Sequence, residues 1–289
     1  MQILVSELPK NPWWGRGIPV YQNNWAMKRG VVPSQEILQK EHVAFIKTLQ
    51  SVVTVVTIPF PPLLDTPANE KHDFVFVRDS FVSNRGGKMI LANFSERNRQ
   101  GEVAATKEFL EKEGYTTQTV SEDAYVEGGE FYFIPGRQIL FAGMNRANKK
   151  GVEEVAALLG VTDCCIIETE VFHLDTIFTV LLDLQGELKA VLVSLSHIKN
   201  KVQLMEFLEK YHVRLIEIDA IDTIGFQEKI GKMAANALAI PGVLIGGTGF
   251  ATPGVEEKIV ELGIKHLITP VTQFCLSGGG VHCLTNELM

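Results

Sequence analysis

The stretch EGGEFYFIPGRQILFAGMNRANKKGVEEVAALLGVTDCCII, running from Glu127 to Ile167, holds one complete structural unit. Phe131-Tyr132-Phe133-Ile134 is a short apolar, aromatic run that reads as a buried strand. Pro135-Gly136 turns the chain, and Gln138 to Ala142 supplies a second strand. A helix is expected from Asn148 to Leu159, stopped by Gly160, and Cys164 to Ile167 returns as a third strand. The unit is therefore strand–strand–helix–strand.

The same order recurs on both sides. Upstream, Phe74 to Val77 reads as a strand, with Lys88 to Ala92 as its hairpin partner across Asn84-Arg85-Gly86-Gly87. A helix between Ser95 and Gly114 and a strand from Thr117 to Val120 complete that copy. Downstream come strands Thr176 to Leu182 and Leu188 to Val193, a helix over Lys201 to Tyr211, and a strand from Arg214 to Ile218. A further copy runs through Ala237 to Ile240, Val243 to Ile245, a helix from Gly254 to Leu262, and His266 to Ile268. A period of about fifty residues indicates a repeat architecture, not a doubly wound sheet. A fifth unit assembles from the two ends of the sequence: Gly280 to Leu284, Ile3 to Val5, a helix near Gln35 to Leu49, and Val52 to Ile58. No Ser/Pro-rich linker interrupts the 289 residues, so a single domain over 1–289 is expected.

Polar residues mark the start of each unit. They are Asp79, Glu127, His173 with Asp175, Asn236, and Cys283, spaced by 48, 46, 63 and 47 residues. In a closed ring of repeats, equivalent positions converge on the axis, so one cavity would gather three carboxylates, an imidazole and a thiol. That set suits a guanidinium. Carboxylates accept paired N–H donors from the planar cation. A thiol is a natural nucleophile for the guanidinium carbon, and the bound cation favours its thiolate. Histidine can protonate a departing amine and then deprotonate water.

The bulk numbers agree with a small cationic ligand. A formal net charge of −7 argues against a nucleic-acid partner, whose phosphates need a basic face. The opening MQILVSELPK is not a signal peptide, and no apolar stretch is long enough to span a membrane. Four cysteines are too few for a disulfide scaffold in a chain of this length, so a cytoplasmic location is the default expectation. A homo-oligomer is compatible with the composition.

The motifs FVRDSF (Phe76 to Phe81), EGGEF (Glu127 to Phe131), FHLDT (Phe172 to Thr176) and GGGVHCLT (Gly278 to Thr285) resemble, in order and spacing, those of arginine deiminases, dimethylargininases and amidinotransferases. The resemblance covers about residues 70 to 289. It implies an α/β fold, a five-bladed pseudo-symmetric αβ propeller of ββαβ repeats, and a hydrolase acting on a guanidino compound. It further implies Cys283 as nucleophile, His173 as general acid and base, and Glu127 as the partner orienting His173. Asp79 and Asp175 would grip the guanidinium. Arg146, with Arg99 or Arg97, would bind the substrate carboxylate. The chain has no room for the inserted helical domain of classical deiminases, and His282 before the nucleophile is another dimethylargininase-like trait. Asp175 is more typical of deiminases and transferases, and Asp79 stands where related dihydrolases carry asparagine.

Two other functions use the same resemblance. An amidinotransferase would resolve the adduct with an amine and would require an acceptor. A non-catalytic propeller, like the ribosome anti-association initiation factor that shares the fold, would have no need of a thiol–imidazole pair. Neither a cofactor nor a metal is expected: no Cys-x-x-Cys or His-x-x-x-His spacing is present. Ile245-Gly246-Gly247-Thr248-Gly249 lacks the lysine of a phosphate loop. Cys164, Cys165 and Cys275 read as core or strand-edge residues. His42, His72, His197, His212 and His266 read as structural. The segment Asn11 to Arg29, with Trp13, Trp14 and Trp25, is a candidate lid by its aromatic, Gly/Pro-broken composition.

Overall fold

Five three-stranded sheets follow one pairing rule in the computed structural model, which describes residues 1–13, 30–226 and 229–289. A hairpin of two antiparallel strands leads into a helix, and the chain returns parallel to the hairpin's second strand. Parallel return needs a crossover, and the helix is that crossover. Phe81–Ser83 and Lys88–Leu91 form the first hairpin, with Thr116–Gln118 parallel after the Glu102–Lys112 helix. Phe131–Ile134, Ile139–Gly143 and Asp163–Ile167 surround the Lys149–Leu159 helix in the same way. Phe178–Leu182, Leu188–Val193 and Arg214–Glu217 surround Lys201–Lys210. Leu238–Ile240, Val243–Gly246 and Lys265–Ile268 surround Val255–Glu261.

The fifth sheet joins remote sequence. Asn286–Glu287 runs antiparallel to Gln2–Ser6, with Ile3 opposite Glu287. Thr54–Ile58 lies parallel to Gln2–Ser6 after the Gln35–Gln50 helix. Two backbone bonds extend this seam: Gln2 N donates to Met289 O at 2.7 Å, and Leu288 N to Gln2 O at 2.9 Å.

Local chemistry explains the helices. The Asn148 side chain accepts from Gly151 N at 2.8 Å, capping a helix whose Val152, Val155 and Leu159 face the core. Strands buried on both faces lose alternation, which is why Ile139–Gly143 reads as an unbroken apolar run. No helix among the described residues is long and apolar enough to cross a membrane.

Two expected strands are turns instead. Phe74 to Val77 falls within a pair of 3-10 turns, His72–Val75 and Val77–Ser80, and the strand begins only at Phe81. Gly280 to Leu284 is likewise a turn, followed by the two-residue strand Asn286–Glu287. The backbone groups of these buried turns are satisfied without a ladder. Asn286 Nδ2 donates to the carbonyls of Val77, Arg78 and Phe81 at 2.9–3.1 Å, and Arg78 N donates to Cys283 O at 3.1 Å. Similar 3-10 turns, Gly128–Glu130 and Leu174–Thr176, precede the inner strands of two other units.

Of the expected lid segment, Asn11 to Trp13 lie among the described residues, and Trp13 is part of the packed interior. It is buried beside Phe76 and Phe274, and its indole N–H donates to His72 O at 2.9 Å. Trp14, Trp25 and the remainder of that segment to Arg29 lie outside the described residues.

Candidate active site

The turns ahead of the inner strands carry the reactive side chains. Asp79 sits within Val77–Ser80, Glu127 immediately precedes Gly128–Glu130, His173 immediately precedes Leu174–Thr176, and Asp175 lies inside that turn. Cys283 lies in the turn before Asn286–Glu287. Asp79, Glu127, His173, Asp175 and Cys283 are all buried. Glu127 and His173 keep extended backbone immediately before their 3-10 turns, so each stands where the turn meets the strand.

His173 is held between two acids. Its Nε2–H donates to Glu127 Oε2 at 2.8 Å, and its Nδ1 stands 3.5 Å from Asp79 Oδ1. Gly129 makes this approach feasible: a Cβ there would lie 2.8 Å from His173 Nδ1 and 2.9 Å from Asp79 Oδ1. Burial works against the imidazolium, but Asp79, Glu127 and Asp175 outweigh it and raise the His173 pKa to about 9. Burial would raise Glu127 too, yet the hydrogen bond and charge of His173 bring it below the usual carboxylate range.

On the other side, Asp175 Oδ2 accepts from His282 Nδ1 at 2.8 Å and from the Cys283 thiol at 3.3 Å. Burial and the charge of Arg78 keep His282 neutral, with its Nδ1 proton directed at the carboxylate. Tyr132 stacks on that imidazole with ring centroids 4.8 Å apart. Burial would raise Asp175, but the His282 hydrogen bond, with the charge of His173 and the Cys283 hydrogen bond, overcomes it and brings the carboxylate below its usual range. Burial, then Asp175 and Asp79, push the Cys283 thiol well above its ordinary range.

Three buried atoms in this cluster have no hydrogen-bond partner among the described residues: Asp79 Oδ1, His173 Nδ1 and Asp175 Oδ1. Two are acceptors and one belongs to the protonated imidazole. Unpartnered buried polar groups are costly, and two of these, His173 Nδ1 and Asp79 Oδ1, stand 3.5 Å apart. The arrangement can accept N–H donors from a planar cation and deliver a proton beside it.

The arginines divide. Arg99 is buried, with Nη1 donating to Asp79 Oδ2 at 2.9 Å and Nε to Glu102 Oε1 at 2.8 Å. It fixes Asp79 so that only the other carboxylate oxygen is unpartnered. Arg146 is 21% exposed and stands 3.3 Å from Glu96 and 4.0 Å from Glu127, at the edge of the cluster. The side chain of Arg97 is outside the described residues.

Sequence reasoning missed Glu130, which is fully buried. Its Oε1 accepts from Asn145 N at 2.8 Å and Arg146 N at 2.6 Å, and its Oε2 from Leu174 N at 3.0 Å. It ties the loop of Arg146 to the turn of His173. Its position beside two glycines in Glu127-Gly128-Gly129-Glu130 was the available signal. Among the described residues, no group of three His, Cys, Asp or Glu side chains is arranged to hold a metal.

Residues 18–289 match the family model described as N,N dimethylarginine dimethylhydrolase, eukaryotic. The bifunctional arginine dihydrolase/ornithine cyclodeaminase ArgZ of Synechocystis sp. (strain ATCC 27184 / PCC 6803 / Kazusa) is 27% identical over 223 residues, 76% of this chain and 30% of that protein. AgrE of Nostoc sp. (strain PCC 7120 / SAG 25.82 / UTEX 2576), described in the same words, is 25% identical over 226 residues, again 30% of its length. The chain thus matches less than a third of these curated relatives. Among solved structures, the substrate-bound N-terminal domain of the cyanobacterial ArgZ gives a TM-score of 0.81 at 22% identity, covering 100% of this chain and 98% of that one. A dimethylarginine dimethylaminohydrolase adduct with 4-chloro-2-hydroxymethylpyridine gives 0.70 at 20% identity, covering 98% of each. At these identities the likeness is one of fold.

Proposed function

The chain belongs to the N,N-dimethylarginine dimethylhydrolase family, and we propose that it hydrolyses the guanidino group of arginine or an N-methylated arginine through a covalent adduct on Cys283. The observation that carries this reading is the buried set in which His173 stands between Glu127 and Asp79 while Asp175 Oδ2 accepts from the Cys283 thiol. Residues 1–289 would form one catalytic domain, with the five sheets arranged as blades of a closed αβ ring. Such closure accounts for the meeting of side chains from separate units.

In this mechanism Asp79 and Asp175 accept N–H bonds from the guanidinium, and Arg146 meets the substrate carboxylate. The bound cation offsets the carboxylates that hold the thiol protonated, so Cys283 releases its proton to solvent. The thiolate attacks the guanidinium carbon, forming the C–S bond. His173 Nδ1–H protonates the leaving nitrogen as its C–N bond breaks, and ammonia or an amine departs. The neutral imidazole then takes a proton from water, whose oxygen adds to the thiouronium carbon. Collapse breaks the C–S bond, returns the thiolate, sends the remaining hydroxyl proton to solvent and yields the ureido product. Glu127 keeps the imidazole oriented throughout.

The test is product analysis with arginine, monomethylarginine, asymmetric dimethylarginine and agmatine. A ureido product released with ammonia or an amine is expected. Ornithine as the terminal product from arginine would move the chain to dihydrolysis, and a requirement for an acceptor amine would move it to amidino transfer. Inertness on all four would overturn the enzymatic reading.

The charge state of His173 gives a signed pH prediction. A general acid is lost as pH rises through its pKa, so kcat/KM should decline on the alkaline side near pH 9. Glu127 supports the protonated imidazole. Glu127→Gln should therefore move the alkaline limb to lower pH. An unmoved limb in that variant would remove His173 from the proton-donating role.

A further inference from the structure

We propose that the side-chain amide of Asn236 is a catalytic group of this site, donating an N–H to Cys283 Sγ and carrying the sulfur through the change from thiol to thiolate. The proposal deepens the reading of Cys283 as nucleophile and rests on it.

Asn236 is completely buried, and all of its amide valences are used. Oδ1 accepts from Gly280 N at 3.0 Å and from Cys283 N at 3.1 Å. Both are backbone donors, so this end of the amide must be the oxygen. The opposite end is then the NH2 group, and it donates to Asp175 O and to Cys283 Sγ, each at 3.1 Å. One side chain thus fixes the backbone of the nucleophile's turn and reaches the reacting atom. Gly280 is shaped to it: a Cβ there would meet Asn236 Oδ1 at 2.9 Å.

The two hydrogen bonds of Cys283 Sγ behave oppositely when the proton leaves. The bond to Asp175 Oδ2 exists only while sulfur carries a hydrogen, and afterwards that contact becomes one between two anions. The bond from Asn236 needs no sulfur proton and strengthens as negative charge appears on its acceptor. Of the groups acting on the thiol, burial, Asp175 and Asp79 disfavour ionisation, whereas the Asn236 N–H favours it. The amide is prearranged, since Oδ1 is pinned before any ligand arrives, and prearranged donors stabilise developing charge without reorganisation.

Asn236→Asp separates the two tasks. The carboxylate still accepts from Gly280 N and Cys283 N, but no N–H remains for sulfur, and a negative charge stands in its place. The experiment follows modification of Cys283 by iodoacetamide at fixed pH, read on the peptide that contains it, together with steady-state kinetics on the best guanidino substrate. Thiolate absorbance, taken as the difference from the matching Cys283→Ser variant, supplies a second readout. Expected are alkylation slowed by about tenfold or more, a higher pH for thiolate absorbance, and kcat reduced by about a hundredfold with little change in KM. Unchanged alkylation and absorbance would overturn the proposal even if kcat fell. Should Asn236→Asp lose its native near-ultraviolet circular dichroism, Asn236→Ser decides in the same way, because its hydroxyl is too short to reach the sulfur. A wild type without turnover but with Asn236-dependent alkylation would sink the hydrolase reading and support the amide contact. Turnover with Asn236-independent alkylation would sink the amide contact alone.

Discussion

Cys283→Ser should abolish ureido-product formation, by about 10⁴-fold or more, while leaving the fold intact. The substitution is nearly isosteric at a buried position, and a hydroxyl can still accept from Asn236 and donate to Asp175. Its chemistry changes far more than its packing. An alcohol is much harder to ionise than a thiol, and the groups around this position are carboxylates that oppose ionisation further. His173 offers no rescue as a base, since it is itself protonated up to about pH 9. Steady-state rates and thermal melting of the two proteins are the measurements. Turnover retained within about tenfold of wild type would mean that Cys283 is not the nucleophile.

Asp175→Asn should cost about 10³ in kcat/KM, equivalent to about 4 kcal/mol of transition-state stabilisation. The change removes no volume and alters one charge. In the native site Oδ2 accepts from His282 and Cys283, which leaves Oδ1 for a ligand. An asparagine must give its oxygen to the His282 Nδ1–H, so its NH2 group turns towards the space the guanidinium would occupy. Donor then faces donor in a buried setting, and a charge-assisted bond becomes a repulsive contact. Both KM and kcat should suffer, because the carboxylate grips the cation before and during attack. A loss below about tenfold would show that Asp175 serves His282 and not the substrate.

The repeat was legible because each unit joins apolar strands through a helix with a recognisable stop. Gly160 ends its helix, and the Phe131–Ile134 hairpin stands where its composition placed it. The turns ahead of the strands were less legible. Phe74 to Val77 and Gly280 to Leu284 are buried and mostly apolar, as a strand would be, and burial on every side erases the periodicity that separates strand from turn. What meets the Val77 carbonyl is Asn286, about 200 positions away, and what meets Gly280 N and Cys283 N is Asn236; no local pattern announces either. Arg99 shows the same limit. The resemblance offered it for a substrate carboxylate, and its pairing with Asp79 and Glu102 is visible only in three dimensions. Asn236 fell on the repeat period, yet its reach to both turn and sulfur exists only in three dimensions.

The seam between Gln2–Ser6 and Asn286–Glu287 has a consequence for the order of assembly. Glu127, His173 and Asp175 come from units whose strands follow one another along the chain, so each can form from nearby sequence, whereas the turn of Asp79 is completed by Asn286. The thiol is different. Its turn runs directly into a strand whose partner begins at Gln2, and closing so long a loop carries the greatest entropic cost. A folding chain therefore gathers Glu127, His173 and Asp175 first and arms itself last. The same seam is where it would be disarmed: opening these few backbone bonds would unseat the nucleophile and leave most of the core in place.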